Sequence, residues 1–407
     1  MNEYRWEWPV DDDNVLAEAA DGVWSGFEGL RRAALRGRES AGSLAGAGDE
    51  RRALDAALVR ELAGAGLLRT GVSRSVGGVQ APPAVMLRTA ESIARGDASA
   101  GWFVSIAMTS SLLSAYLPPE GAEEVFGDPR STAVGVWSPT ARARAVEGGV
   151  VVSGRWTFCS GVSHADWLFA GCVRETADGG ADAAGPDLRV VAVPTSQLSV
   201  LDTWNTIGMR ATGSHDCEAD EVFVPDRRVL SVVDGPPAGA DALYRFPLFG
   251  FFAAAVAAAA LGNARGAVDD LRALATAKKP FGSSRSLAER TGTQTAVARA
   301  EASLRAARLL FYRSVDDAWR AAREGVPVPD AVRVDLRLAA VHAARTAAEV
   351  TASMHGLGGG SAIYETSPLQ RRFRDAHTMT AHAQIRSAMD EVTGKFLLGL
   401  PVRTELL

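Results

Sequence analysis

Hydrophobic positions along the chain recur at helical spacing, then alternate, then recur at helical spacing again. In ALDAALVRELAGAGLL, Leu54, Leu58, Leu62 and Leu67 fall near one helical face, and Gly64 and Gly66 stand where that helix should stop. AVMLRTAESIARGDASAGWFVSIAMTSSLLSAYL predicts two more helices, broken around Gly96 and Asp97. From Ser131 to Val233 the period changes. TAVGVW, GGVVVSGRWTF, DWLFAGCV, LRVVAVP, LSVLDTW and CEADEVFVP are short β-rich runs bounded by Gly, Asp and Pro, with alternation clearest in VVVSGRWTF. No helical pattern separates them, which predicts an antiparallel barrel or sandwich rather than a strand–helix–strand sheet. TADGGADAAGPD (176–187) has turn composition and predicts a loop in solvent. Beyond Asp241 helical spacing returns: Val297, Leu304, Phe311, Val315 and Trp319 align on one long amphipathic helix, and VRVDLRLAAVHAARTAAEVTASMHG predicts a second with small, alanine-rich faces. The expected fold class is α+β, mostly α. It comprises an N-terminal helical domain (1–130), a β-barrel or sandwich domain (131–235) and a C-terminal helical bundle (236–407).

The longest apolar run, Phe246 to Leu261, has 16 residues, contains Pro247 and Gly250, and is mostly alanine after Val256. A spanning helix needs about 20 strongly apolar residues, so this run predicts a helix buried on all sides, not a membrane segment. The start, MNEYRWEWPVDDD, is acidic and lacks the basic-then-apolar layout of a signal peptide. Formal charge is −5 and pI about 5.8, which gives no bulk attraction to nucleic acid. Cys159, Cys172 and Cys217 are odd in number and lack CxxC spacing, so neither a disulfide framework nor a structural zinc site is expected. The expectation is a reduced, cytoplasmic protein.

Several chemistries lack the residues they require. The sequence has no GxxxxGK[ST] phosphate loop, no GxGxxG between a strand and a helix, no HExxH and no GxSxG. The glycine clusters AGSLAGAG and HGLGGG follow helical sequence instead. Nothing points to a metal.

Five motifs, in order, resemble one family. ELAGAGLLRTGVSRSVGG (61–78), with Ser73 where a proline is usual, RGDASAGW (95–102), GRWTFCSGVSHADW (154–167), IGMRATGSHDCEADEVFVP (207–225) and HGLGGGSAIYETSPLQRRFRDAHTMTAH (355–382) span nearly the whole chain. Together they resemble the acyl-CoA dehydrogenase-fold flavoproteins, and within them the two-component (group D) flavin-dependent monooxygenases. The resemblance implies reduced FMN or FAD, supplied by a separate flavin reductase because no nicotinamide signature exists here, with O2 as co-substrate and a small organic molecule as substrate. It also implies a homotetramer. In this reading Trp137, Ser138, Phe158 and Ser160 hold the flavin ring. Trp156 is as consistent with the β core as with that wall. Lys278 and Phe281 of KKPFG, with lysine where the family carries arginine, join His355, Gly358 and Gly359 at the phosphate or adenine end. A glycine run ending a helix can also serve only to stop it.

A dehydrogenase of this fold needs a carboxylate base. The two positions where the family carries one fall on Ala383 and on the stretch Ala242–Val268, which contains no Asp or Glu. A monooxygenase instead needs a dry pocket and a group that handles protons. His382 stands where the resembled monooxygenases carry an active-site histidine, on what the pattern predicts to be a helix shared with His377. It is the expected catalytic residue; a buried core role is its alternative. Ser110 replaces a second histidine of the aromatic hydroxylases, which makes amine, sulfur or polyketide-type substrates more credible than phenols. Ser110, Arg210, Thr212 and His377 are the expected substrate-side residues, with loop-holding the alternative for Arg210 and Thr212. His164 is expected to anchor its loop by hydrogen bonding, and His215 to be structural. A dehydrogenase or oxidase with an unconventional base, and a non-catalytic scaffold, stay open at this point.

Overall fold

A computed structural model describes residues 23–175, 186–404 and 407. The acidic start and most of the 176–187 loop therefore lie outside the described residues.

Among the described residues five α-helices precede the strands: α1 (Glu28–Arg51), α2 (Ala56–Gly64), α3 (Pro83–Gly96), α4 (Ala98–Ser111) and α5 (Pro119–Phe126). The break expected at Gly96–Asp97 is a helix cap. Asp97 leaves helical geometry and its carboxylate accepts the Ala100 N–H at 2.7 Å, satisfying one of the amides that a helix start leaves without an intrahelical partner. Gly96 is required for a different reason: a Cβ there would stand 2.1 Å from the Arg38 carbonyl, so its absence lets α3 cross α1 at backbone contact.

Seven strands follow: β1 (Ala133–Val146), β2 (Gly149–Trp156), β3 (Trp167–Glu175), β4 (Asp187–Pro194), β5 (Ser199–Leu201), β6 (Asp216–Pro225) and β7 (Val229–Leu230). They form one sheet of order β5-β6-β2-β1-β3-β4-β7. The expectation of a wholly antiparallel β unit needs correction, because β1 and β3 pair in parallel. β2 folds back along one edge of β1, so a third strand returning to the other edge must run the same way as β1. Period-2 alternation reports which face is buried, not which direction the neighbour runs.

The remaining helices are α6 (Ala242–Arg245), α7 (Leu248–Ala277), α8 (Thr291–Arg323), α9 (Asp330–Gly358), α10 (Pro368–Met379) and α11 (Ala388–Leu397). The apolar run Phe246–Leu261 lies mostly in α7, which packs against α3, α4, α9 and α10. Small side chains allow that crowding: a Cβ on Gly262 would stand 2.1 Å from the Glu91 carbonyl of α3. Among the described residues two segments, Ala98–Ala115 and Leu248–Ala277, are long and apolar enough to cross a membrane, yet 94% and 83% of their apolar windows are buried in the protein's own core.

Candidate active site

The site is built where α4, β1, α7 and the turn after α10 meet. His382 does not share a helix with His377. α10 ends at Met379, and His382 lies in the turn beyond it. Its imidazole meets the edge of Trp102 from α4 at 5.2 Å and of Phe252 from α7 at 5.3 Å, centroid to centroid. His382 is half-buried; the two rings take most of the water from its imidazole and, with the Arg337 charge nearby, lower its pKa to about 4. A free histidine titrates near 6.5; packing against the two aromatic rings holds this one well below that. Nδ1 accepts the Gln384 N–H at 3.3 Å, so the neutral ring carries its proton on Nε2. Arg337, fully buried on α9, fixes the same turn by donating to the Gln384 carbonyl at 2.8 Å and to its side chain.

Next to Phe252, Trp137 packs its ring at 5.3 Å from Phe252 and 6.2 Å from Phe249. A bulge in β1 positions it. Val136 pairs with Ala170 and Ala141 with Cys172, so residues 137–140 all face Gly171 alone. A Cβ at Gly171 would stand 2.2 Å from the Trp137 carbonyl oxygen and 2.7 Å from that of Ser138. Gly171→Ala should therefore push the bulge outward and destabilise the fold by about 1–3 kcal/mol. That is to be read as a lower urea midpoint with an unchanged slope; an unchanged midpoint would refute it. Ser138 itself is exposed.

A chain of hydroxyls runs from Trp102 toward the 206–213 loop. Trp102 Nε1 donates to Ser160 Oγ at 3.1 Å, Ser160 meets Ser214 at 2.8 Å, Ser214 meets Thr212 at 2.6 Å, and Thr212 donates to the Met209 carbonyl at 2.7 Å. Residues 206–213 are in turn gripped from α10 and α1. Met209 N–H donates to Asp375 at 2.5 Å, Arg374 donates to the Ile207 carbonyl at 2.5 Å and pairs with Asp49 at 2.7 Å, and Arg210 donates to the Asp49 and Thr206 carbonyls. Of the two roles open for Arg210, its contacts are those of loop-holding. Thr212 belongs to the hydroxyl chain.

Phe158 stands apart from Trp137. It is 67% exposed, has the left-handed φ of 64° unusual for a bulky residue, and meets Trp204 edge-on at 6.0 Å. Trp156 is fully buried and donates to the Gly171 carbonyl at 2.7 Å, which makes it a core residue. His164 packs on Phe103 at 6.2 Å, and among the described residues its buried Nε2 has no partner, so packing rather than the expected side-chain hydrogen bond is what holds its loop there. His215 accepts the Trp204 N–H at Nδ1, a structural contact. Cys159, Cys172 and Cys217 are free and buried, although Cys159 and Cys217 come together in space, where their thiol contact and burial raise the Cys159 pKa.

A second group of residues assembles at the end of α9. Lys278 Nζ donates to the Gly358 carbonyl at 2.7 Å, beside Gly359 with its φ of 54°. His355 stacks on Phe373 at 4.6 Å, and Phe373 meets His377 at 4.5 Å. His377 thus sits with His355 rather than with His382. Phe281 projects fully into solvent. A cavity of about 320 Å³ lies elsewhere, between α1, α3, α7 and α8, where Arg88, Glu91, Leu261 and Leu304 are among its lining residues. Among the described residues no group of His, Cys, Asp and Glu could hold a metal.

Residues 254–387 match the family model for the acyl-CoA dehydrogenase C-terminal domain. Over 337 residues the chain is 36% identical to the indole-3-acetate monooxygenase of Pseudomonas putida, covering 82% of this chain and 84% of that one. The chain belongs to the flavin-dependent monooxygenases of acyl-CoA dehydrogenase fold. To a pigment production hydroxylase of Rhodococcus erythropolis this monooxygenase is 30% identical over 336 residues, 78% of this chain and 83% of that one. Its structure superposes on that of XiaF from a Streptomyces species, in complex with FADH2 and glycerol, with a TM-score of 0.85 and 26% identity over 95% of this chain and 98% of that one. Consistent with a monooxygenase, neither dehydrogenase base position holds a carboxylate. Ala383 is exposed in the turn, and the first acids of α7, Asp269 and Asp270, are paired with Arg95 and Arg372.

Trp102, Phe249, Phe252 and Arg337 had no role assigned from sequence. Trp102 was visible inside RGDASAGW; the two phenylalanines sat in an apolar run with no feature to separate cleft from core. Arg337 was the clearest missed signal, a cation flanked by Leu336 and Leu338 on an alanine-rich helix.

Proposed function

We propose that this monooxygenase is the oxygenase component of a two-component system. It takes reduced FMN or FAD from a separate flavin reductase and uses O2 to hydroxylate a small aromatic substrate of indole-like size, with oxidation at nitrogen or sulfur as the neighbouring possibility in the same cleft. The setting is secondary metabolism. The observation that carries the reading is the caged, neutral His382 between Trp102 and Phe252, with Trp137 continuing the aromatic wall.

The residues present fit a flavin. Phe158 is an exposed aromatic held in a strained backbone conformation, a combination that proteins keep where a ligand covers it. Ser160 Oγ beside it gives its hydrogen to Ser214 and keeps a lone pair to accept from a polar ring edge, and the exposed Ser138 is a donor. Lys278 forms no ion pair among the described residues, so its charge is available to phosphate where Gly358 and Gly359 allow close backbone approach, with His355 beside them. Bound there, reduced flavin supplies the electrons and activates oxygen. Trp102, Phe252 and Trp137 exclude water from the reacting atoms, Ser110 lies on the substrate side with its hydrogen given to the Ile106 carbonyl, Thr212 supports the loop behind the site through the hydroxyl chain, and His382 holds a proton at Nε2 for a developing oxygen anion. Phe281, Ile363 and Tyr364, all exposed and close in sequence to the Lys278–Gly359 contact, are the faces a homotetramer would cover.

The test is to supply purified protein with chemically reduced FMN or FAD, O2 and a panel of indoles, phenols, amines and sulfides, measuring oxygen incorporation by mass. Oxygenated product that depends on reduced flavin is expected. Failure to bind either flavin, or reduction of bound oxidised flavin by substrate without oxygen, would overturn the reading in favour of a scaffold or a dehydrogenase.

A further inference from the structure

The cavity of about 320 Å³ between α1, α3, α7 and α8 lies away from the cleft. Its wall on α7 is Leu261 and Gly262, nine and ten residues beyond Phe252, about 14 Å by helical rise. Among the described residues the cavity is lined by seven arginines and one acid, Glu91. The same space is walled by Leu35, Leu261, Leu304 and Leu309. It is therefore strongly cationic and apolar at once.

Part of that charge is met inside the protein. Arg308 holds Glu91 at 2.6 Å, Arg95 pairs with Asp269 at 2.7 Å, and Arg265 and Arg305 share Glu301 at 2.8 and 2.5 Å. Arg38 on α1 and Arg88 on α3 are different. Both are half-buried, and neither makes an ion pair or a hydrogen bond among the described residues. The Arg88 guanidinium is fixed by stacking over Tyr312 at 4.5 Å, and its Nε is buried without a partner. Glu91 cannot serve it, because one carboxylate oxygen is taken by Arg308 and the other by Arg308 and the Tyr312 hydroxyl. A guanidinium drawn partly out of water with no anion beside it is costly, and an arriving anion relieves that cost.

We propose that this cavity is a second ligand site, separate from the cleft, that takes a small apolar carboxylate of one or two rings. Arg38 and Arg88 meet its negative charge, and its body lies on the leucine wall. Inorganic phosphate would satisfy the arginines and leave the leucines wet. A neutral aromatic would cover the leucines and leave both guanidiniums without a counter-charge. A carboxylate on an apolar ring does both, and its planar oxygens match the guanidinium fork. The volume stands at the small end of ligand pockets, which suits such a molecule and is too small for a dinucleotide. The site needs no flavin, so the inference is independent of the chemistry proposed for the cleft.

The experiment is calorimetry on the full-length protein with 2-naphthoate and its neutral amide, 2-naphthamide. Naphthoate should bind the wild type about tenfold more tightly than the amide, and added salt should narrow the difference. Arg38→Met and Arg88→Met keep the apolar stems and remove the charge. Each should weaken naphthoate by about tenfold and leave the amide within about twofold. Leu35→Trp, which fills the cavity, should weaken both ligands. Oxygenation should continue in all three variants, since none of these residues belongs to the cleft. Thermal unfolding confirms that each is folded; if Arg88→Met is not, Arg38→Met and Leu35→Trp carry the test. No naphthoate binding by the wild type, or equal affinity for acid and amide, would overturn the site. So would naphthoate affinity that survives both arginine substitutions, which would place the anion elsewhere on the protein.

Discussion

Replacing His382 with alanine is expected to lower turnover by roughly 10²–10⁴-fold, the usual reach of a positioned proton-handling group, while reduced-flavin affinity stays within about twofold of wild type because His382 contacts aromatic residues and not the Lys278–Gly358 end. The accompanying pH profile is the sharper test. With its pKa lowered to about 4, the imidazole is neutral through the physiological range. Wild-type activity should therefore run flat from pH 8 to about pH 5 and fall only as the ring protonates near 4. An ordinary histidine would produce a limb near 6.5. Steady-state rates across that range, with reduced flavin in excess, distinguish the two. A limb near 6.5 that disappears in His382→Ala would show that the Trp102–Phe252 cage does not control the ring. Unchanged turnover in the variant would remove His382 from the chemistry.

That profile illustrates how the sequence was informative and where it stopped. Asp97 between two apolar helices was readable because an N-cap is a local device: the residue that caps and the amide it satisfies are three positions apart. The buried character of the first half of α7 was equally plain, since its apolar residues up to Leu261 leave no polar side to expose. The direction of β3 beside β1 was not readable, because it depends on which edge remains free after β2 has paired. His382 could be placed in the site by motif, yet its titration could not, because the cage comes from Trp102 and Phe252, 280 and 130 residues away. The role of Trp137 depends on a bulge that exists because Gly171, on another strand, lacks a side chain. Local devices leave local signatures; a cleft made from four elements leaves only the types of its residues.

The second large effect concerns stability and runs opposite to that of an ion-paired acid. Asp375 accepts the Met209 N–H, but it is buried beside Asp97, and desolvation together with that neighbouring acid raises its pKa to about 7. Its pKa in the unfolded chain is near 3.8. Between these values the folded protein holds a proton that the unfolded chain has released, so stability is lost as pH rises from about 4 to 7. The accumulated cost is about 4 kcal/mol. His382 acts in the opposite sense: depressed from 6.5 to about 4, it removes stability as pH falls through that window, by about 3 kcal/mol. The two contributions nearly offset each other between pH 4 and 6.5, and above 7 only the cost at Asp375 persists. Asp375→Asn keeps an oxygen to accept the Met209 N–H and abolishes the buried charge. The variant should therefore be more stable than wild type at pH 8 by about 2–4 kcal/mol, with the gain smaller by about 3 kcal/mol at pH 5 and gone below pH 4. Urea denaturation at both pH values decides it. A variant equally destabilised at pH 5 and pH 8 would mean that Asp375 enters the fold as a charge neutralised by Arg371, and that its carboxylate grips the 206–213 loop as an anion.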